Sequence, residues 1–218
     1  MLHHGVGTNG RQMSLILGGP LAQRGIATGA VDNLGYGLTR VDPDHTVTYD
    51  DWVDMMVDFI AAERRRDDRP IFLYGLSAGG MLTYHVAARM SPDDLRGIIG
   101  MTFLDQRNPQ VRRETSRNAL IGITTPLLRP VAATPLGKLE VPMKLPSTMS
   151  ALANDDGAMR VFMNDRTSAA NTVSVAFLNS YMMYAPAVEP ADFDTCPVLL
   201  TQPAQDRWSV WAVMPGSP

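Results

Sequence analysis

The stretch that most constrains the fold of this chain is residues 70–81, which reads PIFLYGLSAGGM. Its first part, residues 71–74, is a short apolar run with β-branched and aromatic members, which predicts a strand buried on both faces. Residues 75–79 then match the pattern G-x-S-x-G, and apolar residues continue at helical spacing from Met81 to Met90. A strand, a tight turn around a serine and a helix form the context that a nucleophile elbow requires.

The glycines of this motif have a mechanical role. Gly75 and Gly79 lack a Cβ atom, so the strand and the helix can approach closely while Ser77 occupies a strained turn. Such a turn projects the Ser77 hydroxyl above the sheet and leaves the amide of Ala78 free to donate to an oxyanion. The alternative is a glycine-rich turn whose serine only caps the helix that follows. The strand before the motif and the helix after it favour the nucleophile.

The segments around the elbow alternate between helix and strand patterns. Residues 12–24 predict a helix that Gly25 ends, and residues 26–32 predict a buried strand. Residues 49–66 predict an amphipathic helix, because their apolar residues recur at i, i+3, i+4, i+7 and i+8. Residues 95–103 predict a further strand. This alternation is typical of an α/β fold, in which helices flank both faces of a mostly parallel sheet.

The alternation stops over residues 107–194, which carry six prolines before position 150 and six of the fourteen methionines. After these prolines, residues 158–162 and 172–183 show helical patterns. Flexible apolar side chains suit a cap over a lipophilic pocket, although the same methionines would equally fill a helical core. We therefore predict an α/β core formed by residues 1–106 and 195–218, with residues 107–194 as a helical cap insertion.

A candidate acidic residue follows the last predicted strand, residues 197–201. Asp206 stands just past this late strand, where the acid of a serine triad is placed in proteins with a G-x-S-x-G elbow. The alternative is a surface aspartate in a turn. Asp105, past the strand at residues 95–103, is the competing candidate for the same role. The order of the segments favours Asp206.

These segments together resemble the α/β-hydrolase superfamily, in particular its branch of monoglyceride lipases, lysophospholipases and serine-aminopeptidase-like hydrolases. The resemblance is carried by HGVG at residues 4–7, DNLGYG at 32–37, the elbow at 75–80 and the segment 197–208. It implies that the loop beginning with His4 and Gly5 presents the backbone amide of Val6 to an oxyanion, with His4 in a structural role.

The resemblance also implies a reaction, the hydrolysis of a lipid-like or small acyl ester through an acyl-enzyme. Ser77 attacks the carbonyl in this interpretation, and the amides of Val6 and Ala78 hold the oxyanion. Asp206 orients a histidine base. The residues leave open whether the bond is an ester, a thioester or an amide, and which acyl chain and head group it joins.

The catalytic histidine is the part of this triad that the sequence does not supply. The family places it beyond the acid, whereas the four histidines of this chain all precede Asp206, at positions 3, 4, 45 and 85. His85 follows Ser77 by eight residues, about 12 Å along a helix, and is out of reach. His45 lies in a polar loop and stays a weak candidate.

Residues 208–218 do not resemble the helix that the family has after the acid, and the first glycine-rich loop follows only a few residues. We therefore expect a chain that lacks its opening strands and its final strand, helix and histidine, and that is inactive as written. A second class of function stays open, that of a non-catalytic remnant or pseudoenzyme that binds an apolar ligand or a partner.

Composition limits the remaining possibilities. The 218 residues are 45% hydrophobic with a net charge of −3, which is typical of a globular domain with one sizeable core. The basic run at residues 64–66 is balanced by Glu63, Asp67 and Asp68, so nothing indicates a nucleic-acid partner. No apolar run reaches the length of a membrane span. The single Cys196 favours a reducing, cytoplasmic compartment, and no metal or cofactor is predicted.

Overall fold

The structure is a computed structural model that describes residues 1–116, 128–145 and 151–207. Seven strands are present in these residues: β1 (Leu2–His3), β2 (Ala30–Val31), β3 (Phe72–Leu76), β4 (Gly97–Met101), β5 (Glu140–Pro142), β6 (Thr172–Ser174) and β7 (Val198–Thr201). Five of them form one parallel sheet in the spatial order β2-β1-β3-β4-β7, and β5 and β6 form an antiparallel pair. The predicted α/β fold with a parallel sheet is confirmed.

Helices lie between these strands. The α-helices in the described residues are α1 (Gly10–Met13), α2 (Gly19–Ala22), α3 (Tyr49–Arg66), α4 (Ala78–Ala87), α5 (Pro109–Thr115), α6 (Arg129–Ala132), α7 (Asp156–Asn164) and α8 (Val175–Met183). Short 3₁₀ turns occupy Pro135–Lys138 and Pro190–Asp192. The elbow helix α4 packs against β3 and β4, and α3 packs against α4 and α8.

The longest helix, α3, confirms the predicted amphipathic helix. It begins at a capping box in which the Thr48 side chain accepts from the amide of Asp51 and the Asp51 side chain accepts in return. Its apolar face carries Trp52, Met56 and Ile60, which are each at most 1% exposed. Three arginines close its last turn, where positive charge is favourable. The helix therefore supplies the largest buried side chains of the core.

The first predicted helix, residues 12–24, is present but differs in its details. It begins earlier, at α1, because Asn9 and Gln12 form a second capping box. Between α1 and α2 the backbone forms a π-helical turn, Ser14–Gly18. Gly25 ends the segment with a φ of +78°, as the sequence predicts.

Two predicted strands are longer than the strands that form. Of residues 26–32 only β2 is a strand, because its described neighbour β1 has just two residues with which to pair. One further backbone hydrogen bond, from the Leu2 amide to the Gly29 carbonyl, precedes β2. Of residues 95–103 only β4 is a strand, and Thr102 ends it with a φ of +68°. The sequence indicated about four strands, since β1 is too short to leave a periodic pattern.

The prediction that the strand before the elbow is buried on both faces is wrong at its beginning. Leu73 is fully buried, but Phe72 is 51% exposed. The register explains this difference, because Phe72 pairs with Gly97, which has no side chain to cover the phenyl ring. The helix after the elbow begins at α4, three residues before the Met81 of the sequence pattern.

Residues 107–194 contain α5 to α8 and the antiparallel pair. The predicted helix at 172–183 begins as the strand β6, because β-branched residues there pair with β5, and Ser174 then caps α8. Three of the six methionines, Met143, Met159 and Met182, are buried, and Met143 belongs to the same apolar core as α3. Met149 lies outside the described residues. The division into a core and a cap insertion stays a prediction.

We predict that Gly75→Ala strongly destabilises the fold. A Cβ at this position would overlap the carbonyl oxygen of Gly79, which is backbone and has no freedom to move aside. The expected loss is about 1–3 kcal/mol or more of the free energy of unfolding, measured by urea denaturation. Gly29→Ala is the matched control, because its Cβ would meet nothing within 4 Å, and it should shift the stability by less than about 0.5 kcal/mol. Equal stabilities for the two variants would contradict the close approach at the elbow.

Candidate active site

The serine of the G-x-S-x-G motif occupies a strained turn between β3 and α4. Ser77 has φ +58° and ψ −123°, a region that L-residues rarely adopt and that costs roughly 1–3 kcal/mol. Its side chain makes no capping hydrogen bond to α4, so the alternative of a simple helix cap is not what the geometry shows. Its amide donates to the Met101 carbonyl at 2.9 Å, and its carbonyl accepts from the Gly80 amide at 2.7 Å. The hydrogen bond to Met101 therefore attaches the turn to the neighbouring strand β4.

Close backbone contacts on both sides keep this turn in place. Gly75 lies against the Gly79 carbonyl, and a Cβ on Gly79 would in turn overlap the His3 carbonyl oxygen of β1. Only glycine fits at either position. The turn at Ser77 thus lies in close contact with β3 and with the end of β1, as the two glycines of the motif predict.

The first glycine-rich loop lies directly against the elbow. A Cβ on Gly5 would come within 3.2 Å of both the Ala78 amide nitrogen and the Ser77 Cβ. Val6, the next residue, is only 5% exposed. The two motifs, which are about seventy positions apart in the sequence, therefore meet at one point of the sheet edge, because β1 and β3 are neighbours and run in parallel.

The ring of His4 determines how this loop is oriented. Its Nε2 accepts from the Asn33 amide at 2.9 Å, so the proton resides on Nδ1, which donates to the Gly5 carbonyl at 2.8 Å. The ring is fully buried, and burial lowers the pKa of His4, which keeps it neutral. Because a trans peptide group is planar, holding the Gly5 carbonyl makes the Val6 amide point the opposite way.

The turn at residues 32–37 provides the partners that sequence reasoning missed. Asn33 supplies both the amide that fixes His4 and a side-chain bond to the His4 carbonyl. Tyr36 donates its hydroxyl to the Val6 carbonyl at 3.1 Å. Asp32 accepts from the amides of Gly10 and Leu38. The sequence marked this turn as part of a family motif but gave no signal for these contacts.

A cavity of about 260 Å³ opens over the elbow. Ser77 and Asp206 both border it, together with Gly5 and Gly7 of the first loop. The rest of the lining is mostly apolar and includes Ile16, Leu76, Met101, Leu104, Leu152 and Phe162. The fold thus brings together the predicted serine, the predicted acid and the predicted oxyanion loop around one apolar space.

The two candidate acids have different surroundings. Asp206 accepts from the Gln202 side chain at 3.2 Å at the edge of the cavity. Asp105 binds the Arg107 guanidinium through several hydrogen bonds, with a closest N–O distance of 2.7 Å. Arg107 also pairs with Glu189 at 2.7 Å, so Asp105 belongs to an ion-pair network beside the 3₁₀ turn at Pro190–Asp192.

All four histidines of the chain lie in the described residues, and none borders the cavity at Ser77. His85 is buried on α4 with its Nδ1 3.0 Å from the Tyr49 hydroxyl, and burial lowers the pKa of His85 to about 3. His3 is buried in β1 without a hydrogen-bond partner in the described part of the chain. His45 pairs with Asp51 at 3.2 Å and lines a separate cavity.

The residues that the structure describes contain neither a metal-binding cluster nor a membrane-spanning helix. No group of three or more histidine, cysteine, aspartate or glutamate side chains there is arranged to hold a metal ion. No helix of residues 1–116, 128–145 and 151–207 combines the length and the apolar character needed to cross a bilayer.

Comparison of the fold with solved structures finds the same architecture. A monoacylglycerol lipase from Paleococcus ferrophilus is 14% identical over 92% of this chain and 82% of its own, with a TM-score of 0.63. A soluble variant of the Saccharomyces cerevisiae monoglyceride lipase is 18% identical over 94% and 67%, with a TM-score of 0.67. An extracellular α/β-hydrolase from a Paenibacillus species is 17% identical over 100% and 80%, with a TM-score of 0.58.

Sequence comparison gives the family. A search of curated protein sequences found no match. The family model described as "Serine aminopeptidase, S33" matches residues 1–210, nearly the whole chain. The predicted resemblance to this branch of the α/β-hydrolases is thereby confirmed, and the chain belongs to the S33 serine aminopeptidase-like family of α/β-hydrolases.

Proposed function

We propose that Ser77 is the nucleophile of a serine hydrolase site that cleaves a carboxylic ester through an acyl-enzyme. The observation that carries this proposal is the strained backbone of Ser77 (φ +58°), held against the Gly5 loop at the floor of an apolar cavity. A helix cap does not require such strain, whereas a nucleophile that must stand free above the sheet does.

The reaction proceeds in two displacements. Ser77 Oγ bonds to the carbonyl carbon while the carbonyl electron pair moves onto oxygen, and the Ser77 proton passes to a base. Collapse of this tetrahedral intermediate breaks the ester C–O bond, and the leaving alcohol takes up the proton. Water then attacks the acyl-enzyme in the same way and releases the carboxylic acid and Ser77.

Two backbone amides stabilise the oxyanion in this proposal. Ala78 begins α4 immediately after the nucleophile, so its amide is one of the unpaired donors of the helix amino terminus. Val6 supplies the second amide, because His4 holds the preceding carbonyl and directs the Val6 amide to the opposite side. A Cβ on Gly5 would come within 3.2 Å of the Ala78 amide nitrogen, so the first loop lies beside this amide, which supports this pairing of donors.

We propose Asp206 as the acid that orients the base. It borders the same cavity as Ser77, whereas Asp105 is engaged by the guanidinium of Arg107. The base itself is not among the histidines of this chain, because His3, His4 and His85 are buried in other contacts and His45 lines another cavity. We therefore propose that the 218 residues by themselves are nearly inactive.

The substrate class follows from the lining of the cavity. Apart from Asp206 and Arg207, its side chains are uncharged and mostly aliphatic, which suits an acyl chain. Two of the proteins with a similar fold are named as a monoacylglycerol lipase and a monoglyceride lipase. A lipid-like or small acyl ester is therefore the substrate we propose.

The cytoplasmic location stays a prediction that rests on the single cysteine.

A second candidate function is supported by the positions of the histidines. A site that keeps the elbow and the apolar cavity but no base suits a non-catalytic protein that binds an apolar ligand. The two candidates differ in what Ser77 does. A ligand-binding protein would hold acyl compounds equally well with alanine at position 77, whereas a hydrolase-type site would lose its covalent chemistry.

The first functional prediction concerns turnover of p-nitrophenyl butyrate. Without a histidine base, turnover by the 218-residue chain should exceed spontaneous hydrolysis by no more than roughly 10³–10⁴-fold, the residual that oxyanion donors and binding supply without an activated serine, and Ser77→Ala should change it little. Ser91→Ala, an exposed serine elsewhere, is the matched control and should change nothing. Efficient turnover, above about 1 s⁻¹ and lost in Ser77→Ala, would show that a base is present, and His45→Ala would then be the next variant.

The second functional prediction separates the two acids. In any longer form of this protein that supplies the histidine, Asp206→Asn should lower kcat by roughly 10⁴-fold, since the base loses its orientation. Asp105→Asn should lower kcat less than about tenfold and should act mainly on the ion pair with Arg107. The measurement is steady-state kinetics on both variants at equal folded fraction. A larger effect at Asp105 would move the acid to the end of β4.

A further inference from the structure

The hydroxyl of Tyr36 is a buried polar group that contacts the first loop. Tyr36 is 2% exposed, and its ring packs 5.3 Å from the His4 ring and 5.5 Å from the Trp52 ring. Burial raises the pKa of Tyr36, so the hydroxyl keeps its proton. It donates this proton to the Val6 carbonyl at 3.1 Å. Trp52 donates to the Leu34 carbonyl at 2.9 Å and so ties the same turn to α3.

Val6 therefore lies between two peptide groups that are each held by a side chain, one by His4 and one by Tyr36. The peptide group before it is fixed by the bond from His4 to the Gly5 carbonyl at 2.8 Å. The peptide group after it is fixed by the bond from Tyr36 to the Val6 carbonyl. Because each peptide group is planar, these two bonds together leave the backbone of Val6 little freedom in φ or ψ. His4 alone would leave the following peptide free to rotate.

The segment at residues 165–171 contacts the same turn. Asn171 donates its side-chain amide to the Gly35 carbonyl at 2.8 Å, next to Tyr36 in the same turn. The Gly37 amide donates to the Thr167 carbonyl at 3.2 Å. A segment far along the chain thus braces the turn that carries Tyr36.

We infer that Tyr36 is a positioning residue that holds the peptide group after Val6 and so limits rotation of the backbone next to the Val6 amide, which His4 orients, while Asn171 braces the turn that carries Tyr36. The inference rests on the proposed function in one respect, namely that the Val6 amide serves an oxyanion. The geometric part, that Tyr36 holds the loop, stands on the hydrogen bonds alone. The two parts are tested separately.

The geometric part is tested by hydrogen–deuterium exchange of the full chain, read by mass spectrometry on peptides that cover residues 5–8. Tyr36→Phe removes only the hydroxyl and keeps the ring packing, and it should speed exchange of these amides by roughly two- to tenfold, the effect of one lost hydrogen bond. Tyr84→Phe is the matched control, because Tyr84 is 7% exposed and donates to the Val188 carbonyl, away from the loop. Loop exchange equal in Tyr36→Phe and wild type would overturn the inference. So would faster exchange throughout the chain, the sign of a merely structural role.

The oxyanion part is tested by titration with butylboronic acid, whose tetrahedral adduct on a serine is an anion that places a boron-bound oxygen where the oxyanion would form. Tyr36→Phe should raise the Kd by about tenfold, a fraction of the loss expected for deleting an oxyanion donor, and Asn171→Ala should raise it less. Tyr84→Phe should leave the Kd unchanged. An unchanged Kd in Tyr36→Phe would contradict the role. Binding that survives Ser77→Ala would instead contradict the proposed function, and hydrogen exchange alone would then decide the geometric part.

Discussion

The rest of the site depends on the close approach of backbone to backbone at Gly75 and Gly79. This contact lets α4 begin directly above β3, so that Ser77 is forced into its positive φ rather than into an ordinary helix cap. The strain of roughly 1–3 kcal/mol is offset because β4 and β1 hold the turn from two sides. Without this approach the serine would not border the cavity in this conformation.

A second constraint acts through a neutral, buried His4. Its ring connects the turn at residues 32–37 with the Gly5 carbonyl, so the orientation of the first glycine-rich loop depends on that turn as well as on the loop's own sequence. The proposed serine hydrolase site therefore consists of an elbow that backbone contacts hold and a loop that the His4 side chain orients. The histidines of the chain serve in the core and at the surface, and none lies at the cavity that Ser77 shares with Asp206.

Much of this arrangement was predictable from the residues. The G-x-S-x-G pentapeptide, the amphipathic pattern of α3 and Gly25 as a helix stop each act locally, so the sequence alone indicates them. The shortness of β2, the exposure of Phe72 and the strand at Thr172–Ser174 depend on which residue lies opposite across the sheet, and no periodicity reports that. The hydrogen bonds of Asn33 and Tyr36 were not predictable either, because their partners in the first loop are about thirty residues away in the sequence.

The most direct test of the central claim is a crystal structure of the protein with butylboronic acid bound. We expect a tetrahedral boronate bonded to Ser77 Oγ, with one oxygen roughly 2.7–3.1 Å from the backbone nitrogens of both Val6 and Ala78. We also expect the alkyl group to lie in the cavity lined by Ile16, Leu152 and Phe162. A boronate bound to another residue, or one whose oxygen faces away from these two amides, would contradict the assignment of nucleophile and oxyanion donors.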